Sequence, residues 1–183
     1  ADLNRALKIA PKNAVCLAVR AVALRRMDKN QEAIRDFQAA LQLNPRNDVV
    51  WAELALTLHQ VVQSTDGFFA ATQAIQLNSQ DAAYYNVRGR CLLGLNRHEE
   101  AAADFETATQ LEPSVANYFL NAGLAYNALQ KYERAAELLS TCISLAPDKA
   151  SAYRERATAL EGLGQTDSAE ADTTKADELE QTK

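Results

Sequence analysis

The chain has 183 residues, 23% charged and 48% hydrophobic, a balance that suits a folded protein and excludes a disordered one. Only 6 Gly and 4 Pro are present, and Ala and Leu outnumber the β-branched residues, so helix is favoured throughout. The net charge of −5 makes the chain a poor candidate for nucleic acid, which needs a basic face to displace its counterions, so none is expected as a partner.

Residues 1–13 carry Asp2, Leu3, Ala6 and Pro11 at offsets that recur later, and read as the second helix of a truncated repeat. From Ala14 the chain aligns with itself in rows of 34, without gaps, starting at Ala14, Asp48, Ala82, Ala116 and Ala150. Row one (14–47) has Leu17, Ala21 and Leu24, then Ala33, Phe37, Ala40 and Pro45. Row two (48–81) has Trp51, Ala55 and Leu58, then Gly67, Ala74 and Ser79. Row three (82–115) has Tyr85, Gly89 and Leu92, then Ala101, Phe105, Ala108 and Pro113. Row four (116–149) has Phe119, Gly123 and Tyr126, then Ala135, Cys142 and Pro147. Row five (150–183) has Tyr153, Ala157 and Leu160, then Ala169, Thr173 and Ala176.

Columns 4, 8 and 11 lie on one face of a helix by their i, i+4, i+7 spacing, and columns 20, 24 and 27 do the same for a second helix. Each row therefore predicts a helix A over columns 1–14 and a helix B over columns 18–31. Small residues at columns 8, 20 and 27 let the two backbones approach closely, and the bulky columns fill the gaps between them. Proline at column 32 ends helix B, because it lacks the donor that the next turn requires. No single hairpin can bury its own apolar face, so the rows must stack.

This pattern resembles the tetratricopeptide repeat family, whose bulky column 4, small column 8, Ala columns 20 and 27, aromatic column 24 and Pro column 32 all recur here. The resemblance covers residues 14–183 as five repeats, with residues 1–13 as the tail of a sixth, so further repeats are expected upstream. It implies an all-α fold, a right-handed α-solenoid of antiparallel helix pairs, and a non-enzymatic scaffold that binds a partner peptide or helix in a concave groove. Two other readings stand beside it. One is a targeting segment of a larger enzyme; the other is a self-assembly module that forms a homo-oligomer through its truncated N-terminal end.

Two rows depart from the pattern. In row two "VVQSTDGFF" replaces the usual turn, and a distorted or mobile turn is expected near Ser64 to Gly67. Row five is polar where the others are apolar, with Thr173 and Asp177, as a terminal cap requires.

Residues suited to chemistry receive structural explanations. Cys16, Cys91 and Cys142 are odd in number and far apart, without metal or disulfide spacing, so free thiols in a reducing, cytoplasmic compartment are expected. His59 and His98 fall in different rows and give no metal-ligand spacing. Glu99 and Glu100 open a helix B, where acids favour the helix dipole. No catalytic motif, metal site or cofactor loop is present, and no apolar run approaches the roughly 18–20 residues of a membrane span.

Columns 7 and 23 are more informative. They hold Arg20 and Asp36, Arg88 and Asp104, and Arg156 and Asp172 in rows one, three and five, and neither residue type in rows two and four. Ion pairs joining helix A to helix B are expected in those rows, because an Arg drawn towards a buried interface is costly without a partner.

Columns 2, 5, 6, 9, 12 and 13 lie opposite the inward stripe of helix A and are expected to line the groove. They supply Val19, Val22 and Arg26 from row one; Glu53, Leu56 and His59 from row two; Asn86 and Arg90 from row three; and Asn117, Leu120, Asn121 and Leu124 from row four. Exposed Val and Leu would mark an interaction site, and the Asn amides suit a peptide backbone. Arg25, Arg26 and Arg90 would suit an acidic partner. Relatives that clamp a C-terminal carboxylate use Lys, Arg and Asn at set columns; here only Asn121 matches, and Glu155 has the wrong sign.

Overall fold

A computed structural model describes Ala10 and residues 12–181; the helix expected over residues 1–13, with Asp2, Leu3, Ala6 and Pro11, lies largely outside the described residues. Every regular element among the described residues is an α-helix. In chain order they are α1 (Ala14–Arg26), α2 (Asn30–Leu43), α3 (Asp48–Gln60), α4 (Ser64–Leu77), α5 (Ala82–Gly94), α6 (His98–Leu111), α7 (Ala116–Ala128), α8 (Tyr132–Leu145), α9 (Ala150–Gly162) and α10 (Thr166–Gln181). Odd-numbered helices through α9, apart from their partners, are the A helices, and even-numbered ones are the B helices. The fold is all-α among the described residues, with each helix packed on the next in its unit, as the repeat predicts.

The chain divides into two compact units, Ala1–Leu95 and Asn96–Lys183. In the first, each of α1 to α4 packs on the helix that follows it, and α3 also touches both α1 and α5. In the second, each of α6 to α9 packs on the next, and α7 touches α9. A helix A therefore has two kinds of neighbour, its B partners and the A helix of the adjoining row.

Local signals set the helix ends. The Oδ1 atoms of Asn13, Asn47 and Asp81 accept the backbone N–H groups of Cys16, Val50 and Ala83 at 3.0, 3.1 and 2.9 Å, which caps α1, α3 and α5. The B helices α2, α4, α6 and α8 lack such caps; the first turns of all the B helices carry Glu32, Asp66, Glu99, Glu100, Glu133 and Asp167, which favour the positive helix end. Pro45, Pro113 and Pro147 follow the ends of α2, α6 and α8.

The first unit is built round Phe37, Leu41, Leu54 and Leu58, with Ala21, Ala33, Ala55 and Ala71 where helices meet closely. In the second, Phe105, Leu139 and Cys142 are fully buried among alanines.

The expected distortion in row two is not there: α3 has the same 13 residues as α1 and α5, and Ser64 to Gly67 lie inside α4. The turn is regular because the backbone adopts the same left-handed residue at column 15 as the other rows, with φ 59° at Asp28, 62° at Val62, 58° at Asn96, 57° at Gln130 and 73° at Gly164. Val62 is the poorest choice for that conformation, since its β-branched side chain crowds the backbone. It is also 86% exposed. Gly67 answers to packing instead: a Cβ there would stand 2.8 Å from Cys91 Sγ and 3.2 Å from the Ala55 carbonyl oxygen.

Candidate interaction surface

The outward columns of the A helices do not all reach solvent. In the first unit Val15, Val19 and Val49 are 70%, 49% and 57% exposed, and Arg26 is exposed beside them at the end of α1. Val22 and Leu56, expected in the groove, are half-buried and pack against the core. Val87 is buried outright. In the second unit Asn117 is exposed, whereas Leu120, Asn121 and Leu124 are half-buried, and Leu120 packs against Ala135, Leu139 and Ala159. The physical reason is the second kind of neighbour: columns 5, 6 and 9 lie partly against the A helix of the adjoining row, so their Val and Leu side chains help to glue the rows together.

The polar groove residues are also partly committed. Arg25 Nη2 and Nε donate to Glu53 Oε2 at 2.8 and 3.1 Å, which ties α1 to α3. Asn127 Nδ2 donates to the Glu155 carbonyl oxygen at 2.9 Å and to its Oε2 at 3.2 Å, which ties α7 to α9. Both links run from column 12 of one row to column 6 of the next, 28 residues on. Glu53 is thus a structural partner of Arg25, not a free groove carboxylate, and Arg25 is not free for an acidic ligand.

In row two, column 12 is His59, and column 6 of the next row is Val87. His59 is half-buried, and its Nδ1 has no hydrogen-bond partner. Burial first, and the nearby Arg90 charge second, hold its pKa below the ordinary imidazole value. Arg90 and Asn86 are half-buried on α5.

The structure brings together the Arg and Asp of columns 7 and 23 in rows one and five. Arg20 grips Asp36 with Nε on Oδ2 at 2.5 Å and Nη2 on Oδ1 at 2.7 Å. Arg156 holds Asp172 with the same two bonds, both 2.7 Å, and its Nη1 reaches Ser140 Oγ at 3.1 Å. These are bidentate, charge-assisted pairs between a half-buried Arg and a buried Asp. Arg88, whose guanidinium lies 5.7 Å from the Tyr85 ring, and the buried Asp104 belong to different units.

The remaining chemical candidates are inert packing. Cys91 and Cys142 are fully buried, and burial pushes the Cys91 thiol up to about 11, far from a reactive thiolate. Cys16 is half-buried against the core. Ser64 and Tyr132, which share a column with His98, lie over Gly94 and Gly162 at the ends of the next A helices. Among the described residues no cluster of three or more His, Cys, Asp or Glu side chains is suited to hold a metal ion, and no helix is long and apolar enough to cross a membrane.

Comparison with known proteins agrees with this geometry. A family model described as "Tetratricopeptide repeat" matches residues 14–47 and 82–115, and a second of the same description matches residues 116–149, so more than half of the chain is covered. The chain belongs to the tetratricopeptide repeat family. Among solved structures it is similar to MamA from Desulfovibrio magneticus RS-1, with a TM-score of 0.85 and 16% identity over 93% of this chain and 96% of that one. A further MamA structure gives a TM-score of 0.82 and 23% identity over 92% of both chains. YrrB, described as a TPR protein with an unusual peptide-binding site, gives 0.80 and 13% identity over 98% of this chain and 92% of that one. At these identities the likeness concerns the fold. No curated protein matches the sequence at a significant level.

Proposed function

We propose that the chain is a non-enzymatic protein-interaction scaffold whose A helices receive a peptide or helix of a partner protein on the side that the family resemblance makes concave. The observation that carries this reading is the apolar surface of α1 and α3: Val15, Val19 and Val49 project into solvent with Arg26 at its edge. Apolar side chains clustered on a surface cost solvation unless a partner covers them. The peptide-binding description of YrrB supports the same use of this fold. The rows 14–47, 48–81, 82–115, 116–149 and 150–183 are taken as five repeats, the last of which carries the polar residues Thr173 and Asp177 on α10. Free cysteines at positions 16, 91 and 142 favour a reducing compartment.

Affinity capture from a cell extract tests the proposal, with Val19→Asp and Val49→Asp in parallel. Partners bound by the parent chain and lost in both variants, with helix content unchanged, support it. Partners retained by both variants reject the A-helix surface.

A further inference from the structure

The slot that separates successive B helices has different chemistry in the two units. In the second unit, between α8 and α10, it is lined by Ser140, Arg156, Ser168 and Asp172, and the Arg156–Asp172 pair occupies its floor. In the first unit the corresponding slot lies between α2 and α4 over α3, and columns 7 and 23 hold Leu54 and Ala70 in place of Arg and Asp. With Leu54 and Ala70 in place of the ion pair, this slot is a groove of about 450 Å³ with mixed apolar and polar walls, within the range of binding sites for small groups.

Trp51 and Phe69 place an aromatic pair in the lining of that groove. Phe69 is 60% exposed, and its ring meets the edge of Trp51 at 6.5 Å and 78°. Trp51 is held in place by its indole N–H, which donates to the Pro45 carbonyl oxygen at 2.9 Å. An aromatic pair fixed in advance loses little conformational freedom on binding, and such side chains dominate interface energetics. Asp66 is the one charged side chain among the lining residues, and among the described residues it has no ion-pair partner. The other polar lining groups are glutamine amides, able to donate to and accept from a peptide backbone.

We propose that this groove is a second docking site, separate from the A-helix surface, for an extended partner peptide that inserts one bulky apolar side chain between Trp51 and Phe69. A neighbouring Lys or Arg of that peptide pairs with Asp66. The lone carboxylate and the net charge of −5 both select a cationic segment over an acidic one.

Trp51 is the chain's single tryptophan, so its fluorescence reports the groove directly. The probes are three capped tetrapeptides: Lys-Phe-Leu-Lys, Glu-Phe-Leu-Glu and Lys-Ala-Ala-Lys. The expected result is a saturable change in Trp51 emission with the first alone. Phe69→Ala weakens it about tenfold or more, as loss of an interface anchor does. Asp66→Asn removes the preference over the acidic peptide, while the A-helix variant Val19→Asp leaves the titration unchanged. Both groove variants alter exposed side chains, and unchanged circular dichroism confirms that they fold. No saturable change, equal response to the acidic peptide, or an unaltered response in Phe69→Ala would overturn the proposal. So would a concentration-dependent rise in mass of the protein alone that Phe69→Ala abolishes, which would assign the groove to a second copy.

Discussion

Replacing Arg156 by Leu tests the ion-pair logic of columns 7 and 23 most sharply. The substitution leaves Asp172, whose side chain is 9% exposed, buried without its bidentate partner. Removing one member of a buried pair costs about 3–5 kcal/mol. Arg156 is 24% exposed, so water reaches the site and a smaller loss, about 2–3 kcal/mol, is expected. Arg156→Leu with Asp172→Ala recreates the Leu54 and Ala70 of row two and removes the stranded charge as well. That double variant should recover to within about 1 kcal/mol of the parent, because an apolar replacement of similar volume is often neutral. At roughly 2–4 °C per kcal/mol for a chain of this size, the single variant loses roughly 4–12 °C and the double variant less than about 4 °C. Melting is followed by far-UV circular dichroism, with amide exchange in α10 to detect local opening of the terminal row. A single variant that melts with the parent, or a double variant as unstable as the single, would refute the reasoning.

Three further outcomes follow from particular residues. Val62→Asn, which installs the residue found at the same turn position in row three, should raise stability by about 1 kcal/mol by relieving left-handed strain; a urea titration with no gain contradicts that. His59 has a folded-state pKa below its unfolded value, so the unfolded chain binds more protons, and stability present above the unfolded imidazole pKa is lost as pH falls below it. His59→Gln should flatten the melting temperature between neutral and mildly acidic pH, and an unchanged slope would exclude His59 as the source. Thiol labelling under native conditions should modify Cys16 well before Cys91 and Cys142, and equal rates would contradict their burial.

The helix pairs were legible because a fixed 34-residue period repeats small, bulky and proline positions, and each has a direct geometric cause. The joint occurrence of Arg and Asp in columns 7 and 23 likewise marked residues that the structure places in contact in rows one and five. The groove was less legible. A helical wheel divides one hairpin into inside and outside, but an A helix also meets the A helix of the next row. Val22, Leu56 and Leu120 therefore read as wholly outward, although each is partly buried and packs against a core cluster. The links from Arg25 to Glu53 and from Asn127 to Glu155 were detectable in principle, since both join columns 12 and 6 at a spacing of 28 residues. The strain at Val62 was hidden because a β-branched residue is a poor signal for a left-handed turn.

The proposal that a partner lies on the A helices is tested most directly by amide hydrogen exchange on the chain bound to a captured partner. The account predicts new protection in α1 and α3, beside Val15, Val19 and Val49. Protection confined to the B helices, with α1 and α3 exchanging as in the free chain, would contradict it.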